Sequence, residues 1–379
     1  MRHQLRLVHS RDEKNRPAAT RGCGVCCLNF HPTILSIVAA ATGSIYSASM
    51  TASSLNEPLA AARFIKEIGR GKDGARSMTR DDAQLLYGAM LDGRVSDLEL
   101  GCILLAMRIK GESVVEIAGF LDAAEASFDQ LSAPIGTGYA PIVIPSYNGA
   151  RHMANLTPLL ALLLAREGAP VLMHGVLEDP NRVTSAEILQ ELGLPFSLTV
   201  TDAAQQFVRH QPAFMPIDAL APRMAHLLSL RRILGVRNST HTLVKIMQPF
   251  ATAALRLTSY THPEYLAMLT TYFTTAAPPE RGDIFLMRGT EGETVANVKR
   301  AQQIDWLHQN QATILAEKEL SANAVPALPA ERDAATTAQW IARVLRDELP
   351  VPAAIAEQVA HCLNVAKEIK TRSITTDTH

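Results

Sequence analysis

Between Ala203 and Pro263 the chain carries seven basic residues, Arg209, Arg223, Arg231, Arg232, Arg237, Lys245 and Arg256, against one acid, Asp218. His210, His226, His241 and His262 lie in the same stretch. Arg237, His241 and Lys245 recur every four residues, so on a helix they share one face, with the Arg231-Arg232 pair a turn or two upstream. Side chains of this kind neutralise phosphates, and phosphate contacts position a polyanion without reading its bases. The plainer alternative is that these arginines pair with acids of the preceding helical region, around Asp97, Glu99, Glu112 and Glu116. No recognition helix, zinc finger or RNP-type aromatic motif accompanies the stripe, and aromatics are 5% of the chain, so binding is expected to be tolerant of sequence.

Other residues could do chemistry singly. Tyr147 could stack on a base or pack half-buried beside a strand end. His174 could ligate phosphate, act as a general acid, or be a hydrogen-bonded structural group. Arg288, after Met287 at the end of an apolar run, is a second-tier basic contact. Glu178 and Asp179 find no further acid at metal-ligand spacing, and Cys23, Cys26 and Cys27 lack a second Cys or His pair. No metal, cofactor or catalytic residue is therefore assigned. With Cys102 and Cys362, the five cysteines make no disulfide framework and point to the cytoplasm.

These residues need a scaffold, and 379 residues with 47% hydrophobic content can build one. The net charge of -1, from 36 basic and 37 acidic residues, averages unlike parts and does not exclude a polyanion. Residues 1–60 read as an N-terminal extension, disordered or foreign to the fold. Capping boxes at Thr79, Ser96 and Ser113 predict helices near 79–91, 96–110 and 113–126. Apolar runs at Ile142-Val-Ile, Val171-Leu-Met, Leu255-Arg-Leu and Ile284-Phe-Leu-Met then alternate with helices near 154–167, 184–192 and 263–274, the pattern of a parallel sheet with crossovers. Two helical patterns, near 219–234 and 239–248, interrupt it, and helices near 335–347 and 353–369 close the chain. The expected class is α/β: a small helical bundle (61–133, with 218–250 returning to it) beside a larger parallel-sheet domain (134–217 and 251–379).

Several stretches resemble the anthranilate phosphoribosyltransferase and nucleoside phosphorylase superfamily, glycosyltransferase family 3. They include Ala106-Met-Arg-Ile-Lys-Gly-Glu112, His174-Gly with Thr184-Ser-Ala-Glu187, and Leu234-Gly-Val-Arg237. Members hold phosphoribosyl pyrophosphate on the backbone N–H groups of a glycine-rich turn, with acidic residues binding magnesium. Here Pro145-Ser-Tyr-Asn-Gly149 replaces that turn, which implies that the nest is lost, and of the acid pair only Glu293 remains. Ile142-Val-Ile-Pro-Ser-Tyr-Asn-Gly-Ala-Arg151, Asn155-Leu-Thr157-Pro, His174-Gly-Val and Gly289-Thr-Glu-Gly-Glu293 together resemble one branch, the DNA-binding YbiB family. That resemblance implies a cytoplasmic homodimer that binds DNA, and RNA with it, without strong sequence preference; the basic stretch supplies the expected contacts, Arg223, Arg231, Arg232, Arg237, His241 and Lys245, with Arg288 second-tier. It also implies a vestigial ligand cleft formed by Ser146, Tyr147, Asn148, Gly149, Asn155, Thr157, His174, Ser185 and Glu293. A transferase with an unidentified nitrogenous acceptor, using Arg231, is the alternative.

Overall fold

The computed structural model describes residues 57–71, 73–300, 302–318 and 327–376. Almost all of the expected N-terminal extension, including its three cysteines, lies outside them. The described chain opens with α1 (Ala62–Ile68), α2 (Arg80–Leu91), α3 (Asp97–Lys110) and α4 (Val114–Glu125). Ser96 and Ser113 cap α3 and α4 with complete capping boxes to Glu99 and Glu116. At α2 only half of the device forms: Thr79 accepts from the Asp82 backbone, and the Asp82 carboxylate accepts from the Thr79 hydroxyl at 3.2 Å rather than from its backbone N–H. Gly119 lets α4 cross α2 closely, since a Cβ there would sit 2.2 Å from the Arg80 carbonyl oxygen. Glu116 locks the bundle. Its buried carboxylate accepts from the backbone N–H groups of Met78 at 3.0 Å and Ser113 at 2.9 Å and pairs with Lys110 at 2.6 Å.

The sheet follows, with β1 (Ile142–Ser146), α5 (Thr157–Arg166), β2 (Val171–Gly175), α6 (Ser185–Glu191), α7 (Val200–Val208) and β3 (Ala213–Pro216). Then come four short helices, α8 (Ile217–Leu220), α9 (Pro222–Ser229), α10 (Arg231–Leu234) and α11 (Thr240–Leu243). The rest comprises β4 (Ala254–Tyr260), α12 (Pro263–Thr275), β5 (Gly282–Arg288), β6 (Ile304–His308), β7 (Gln311–Ala316), α13 (Ala334–Leu345) and α14 (Ala353–Thr376). Strand order is β3-β2-β1-β4-β5-β6-β7. The first five strands are parallel, as the alternation predicts; β6 and β7 are antiparallel additions that the sequence pattern does not announce. Period-2 alternation divides each central strand between two cores. Val143, Leu172, Ala213 and Ile284 join the core shared with the bundle, whereas Ile142, Met173, Phe214 and Phe285 join one under α5, α6, α13 and α14. Among the described residues no helix is long and apolar enough to cross a membrane.

The stretch after β3 differs from the two long helices expected there. Pro222 pushes Ala221 to φ -146, ψ 74, a second break falls at Leu230, and Gly235 ends the run in the left-handed conformation at φ 73, so the first pattern is divided into three pieces. The second shrinks to the four residues of α11. Buried Asn238 holds the turn between them, donating from Nδ2 to the Leu227 carbonyl at 2.8 Å and accepting from the Thr240 N–H at 3.1 Å. The segment packs on the bundle through a buried Tyr87 to Thr240 hydroxyl hydrogen bond of 2.9 Å.

Candidate functional site

At β1 the chain first builds the sheet outward to β2 and β3, then returns to the other side as β4. Such a reversal leaves a crevice beyond the carboxyl ends of the strands, where α/β folds place their ligands. A cavity of about 830 Å³ lies there. It is lined from the ends of β1, β2 and β4, from the segment 225–246, and from Arg108, Gly111 and Glu112 at the end of α3.

Arg231, Arg232, Arg237 and Lys245 all line this cavity. They do not share a helix face; Arg237 lies on the turn before α11, and the turn, not i,i+4 geometry, brings them together. None of the four side chains has a hydrogen-bond or ion-pair partner among the described residues. The three arginines are exposed and Lys245 is half-buried. Although the Arg237 side chain is open to solvent, the crevice walls partly desolvate its charge, and this, then Arg231 and Arg182, lowers its pKa from the ordinary value, with Tyr265 opposing and Arg108 reinforcing. Burial pushes Lys245 down to about 8, with Glu293 opposing and Arg237 and Arg182 reinforcing. His241 lines the cavity too, but burial followed by Arg237 and Arg231 pushes it to about 4, so at neutral pH it carries no charge.

Other expected contacts are elsewhere. Arg223 is paired with Asp92 at 2.5 Å and lies off the cavity, as does exposed Arg288 at the end of β5. Arg256, counted in the basic stretch, is buried, donates to the Ile246 carbonyl at 3.1 Å and sits 5.3 Å from the Phe273 ring centroid. The proposed acid partners are largely engaged differently: Glu116 with Lys110, Glu99 with Ser96 and the Ala61 N–H, and Glu112 with the Ser239 hydroxyl at 2.5 Å.

Of the nine residues assigned to a vestigial cleft, only Tyr147 and Asn148 line the cavity. Ser146, Asn155, Thr157 and Ser185 are buried, and three of them form a closed network. Ser146 Oγ donates to Ser185 Oγ at 2.8 Å, and Asn155 Nδ2 donates to the same oxygen at 3.2 Å. His174 is 1% exposed and bonds through Nδ1 to the Tyr147 hydroxyl at 2.7 Å; burial pushes it down to about 3. A neutral imidazole sealed in this way does not serve as a general acid.

The backbone nest also differs from expectation. It has not been lost; it is filled. The N–H groups of Asn148 and Gly149 both donate to Glu293 Oε1, at 2.9 and 2.7 Å. Two residues earlier, Glu291 accepts from the N–H groups of Arg151, His152 and Met153. The residues present do not fit a magnesium-pyrophosphate pair. The donors that would hold the anion hold a carboxylate, and the described residues bring together no three His, Cys, Asp or Glu side chains able to grip a cation.

Three residues on the cavity wall, Arg108, Tyr260 and Tyr265, are absent from the site expected from the sequence. A usable signal for Tyr260 exists, because residues ending a parallel strand face the ligand crevice and Leu255-Arg-Leu reads as such a strand.

Comparison with known proteins agrees with this architecture. Residues 62–127 match the helical bundle domain of the glycosyl transferase family. The chain is 46% identical over 312 residues to the uncharacterized protein YbiB of Escherichia coli (strain K12), covering 82% of this chain and 96% of that protein. It is 28% identical over 191 residues to anthranilate phosphoribosyltransferase of Rhodopseudomonas palustris (strain BisA53), covering 50% of this chain and 54% of that enzyme. The crystal structure of anthranilate phosphoribosyltransferase from Thermus thermophilus superimposes with a TM-score of 0.60 at 20% identity, over 80% of this chain and 93% of that one, a likeness of fold. The bundle match, the likeness of fold and the identity along nearly the whole of YbiB agree: the chain belongs to the YbiB family, a branch of the anthranilate phosphoribosyltransferase and glycosyltransferase family 3 superfamily.

Proposed function

We propose that this protein is a cytoplasmic homodimer that binds DNA and RNA without strong sequence preference, and that it is not a transferase. The observation that carries the reading is the group of cations Arg231, Arg232, Arg237 and Lys245, without hydrogen-bond or ion-pair partners among the described residues, around one cleft beside a phosphate nest already filled by Glu293. Unpaired cations held close together repel one another, and a polyanion relieves that cost. The dimer rests on α3, where Leu98, Leu105 and Ile109 are 80, 48 and 59% exposed and share one face with exposed Cys102. Arg108, beside Ile109, lines the cavity, so pairing along α3 would bring two basic clefts near each other.

Exchanging Arg231, Arg232 and Arg237 for Glu is expected to abolish retardation of DNA in a gel while leaving the melting temperature unchanged, because all three side chains are exposed. Undiminished binding by the folded triple variant would overturn the reading. The rival, phosphoribosyl transfer to a nitrogenous acceptor, draws support from the cavity's position at the strand ends. Calorimetry with phosphoribosyl pyrophosphate and magnesium tests it, and micromolar binding would favour it.

A further inference from the structure

We propose, building on the nucleic-acid reading above, that the cavity takes unpaired bases of a single strand against Tyr147, Tyr260 and Tyr265, while the cations beside them hold the flanking phosphates. Three of the chain's seven tyrosines line this one cavity, although aromatics make up only 5% of the sequence. They come from three elements, Tyr147 from the end of β1, Tyr260 from the end of β4 and Tyr265 from α12. All three are half-buried, unlike Tyr87 and Tyr272, which are sunk in the core. Tyr147 and Tyr260 rest partly on the apolar core, and Tyr265 is not part of it. Base-aromatic stacking needs such faces and is indifferent to base identity, because every base offers a π surface.

Tyr147 is also ordered before any ligand arrives, since its hydroxyl is fixed on the buried His174. A preset ring loses little entropy when it stacks. The polar lining favours a nucleotide over a bare polyanion. Besides the cations, Glu178, Asp179 and Asn181 face the same space. Carboxylates repel phosphate but accept hydrogen bonds from the exocyclic amines of bases. Size points the same way. A space of about 830 Å³ suits a ligand of drug-like dimensions, which a nucleotide has and a duplex does not. Paired bases would have to leave their stack to enter, at a cost of a few kcal/mol.

The test compares three labelled probes of equal length on the full chain by fluorescence anisotropy at one salt concentration: oligothymidylate, its abasic deoxyribose-phosphate counterpart, and a duplex. Oligothymidylate is expected to bind more tightly than the abasic strand by about 5-fold to 100-fold per inserted base. Tyr260→Leu and Tyr265→Leu should remove that margin and leave abasic binding unchanged. Equal affinity for all three probes would overturn the inference while leaving the charge-driven reading intact. Binding of none would overturn both. The abasic comparison needs no variant, so a misfolded substitution cannot obscure the result.

Discussion

Lys245 lines the cleft and Glu293 is buried behind it on the Asn148 and Gly149 N–H groups, and their surroundings give them opposite tasks. Lys245 has no hydrogen-bond or ion-pair partner among the described residues, and burial, opposed by the Glu293 charge, pushes it down to about 8. A lysine in that state is charged at neutral pH and gives up its proton as the medium turns mildly alkaline. Its hold on phosphate should therefore be present below about pH 8 and fade above it, and a bound phosphate would move the transition upward. Affinity for an oligonucleotide is expected to drop about tenfold between neutral pH and about pH 9, the size of one charge-assisted hydrogen bond. Lys245→Arg should flatten that profile, because a guanidinium keeps its proton. A profile that does not change in the arginine variant would assign the titration to another group. His241 contributes nothing to this profile, since at about 4 it is neutral throughout.

Among the elements, the bundle depends on Glu116. Replacing it with Ala would strand Lys110, whose side chain is only 8% exposed, and leave the Met78 and Ser113 N–H groups without their acceptor. Urea unfolding should show a loss of about 3–5 kcal/mol, the usual cost of removing one partner from a buried pair, and a smaller loss for Glu116→Gln. A change below about 1 kcal/mol for the alanine variant would mean the ion pair is idle. Elements of this kind were legible in the sequence because their signals are local: Ser96 with Glu99 and Ser113 with Glu116 each sit one helical turn apart. Four-residue β3, ending on Pro216, carries too little pattern to be read, and neither β6 nor β7 is a continuous apolar run. The cleft was half legible. Its cations cluster in sequence, whereas Tyr147 lies far along the chain from Tyr260 and Tyr265 and meets them only through the sheet's reversal. Arg256 shows the converse limit: a basic residue on a central strand counts towards charge in the sequence but is buried in the fold.

For the whole molecule, the decisive quantity is how many phosphates one particle touches. If α3 pairs two chains, Leu105→Glu or Ile109→Glu should yield a monomer by sedimentation. The log-log dependence of affinity on salt should then become about half as steep, since each neutralised phosphate accounts for roughly -0.9 of the slope. A variant that stays dimeric would move the interface elsewhere. The near-neutral net charge also takes a different meaning at this scale. It averages a basic stretch, 203–263, against a remainder in which acids outnumber bases, so the whole-chain charge says little about the one segment that gathers cations. The filled nest has a consequence of its own. Glu293 belongs to the same chain as the N–H groups it occupies, so it competes at an effective concentration that free anions seldom match. The loop around Asn148 is thereby ordered by its own sequence and stays so whatever the level of phosphate metabolites around it. What a substrate would otherwise have to organise, the polypeptide carries with it.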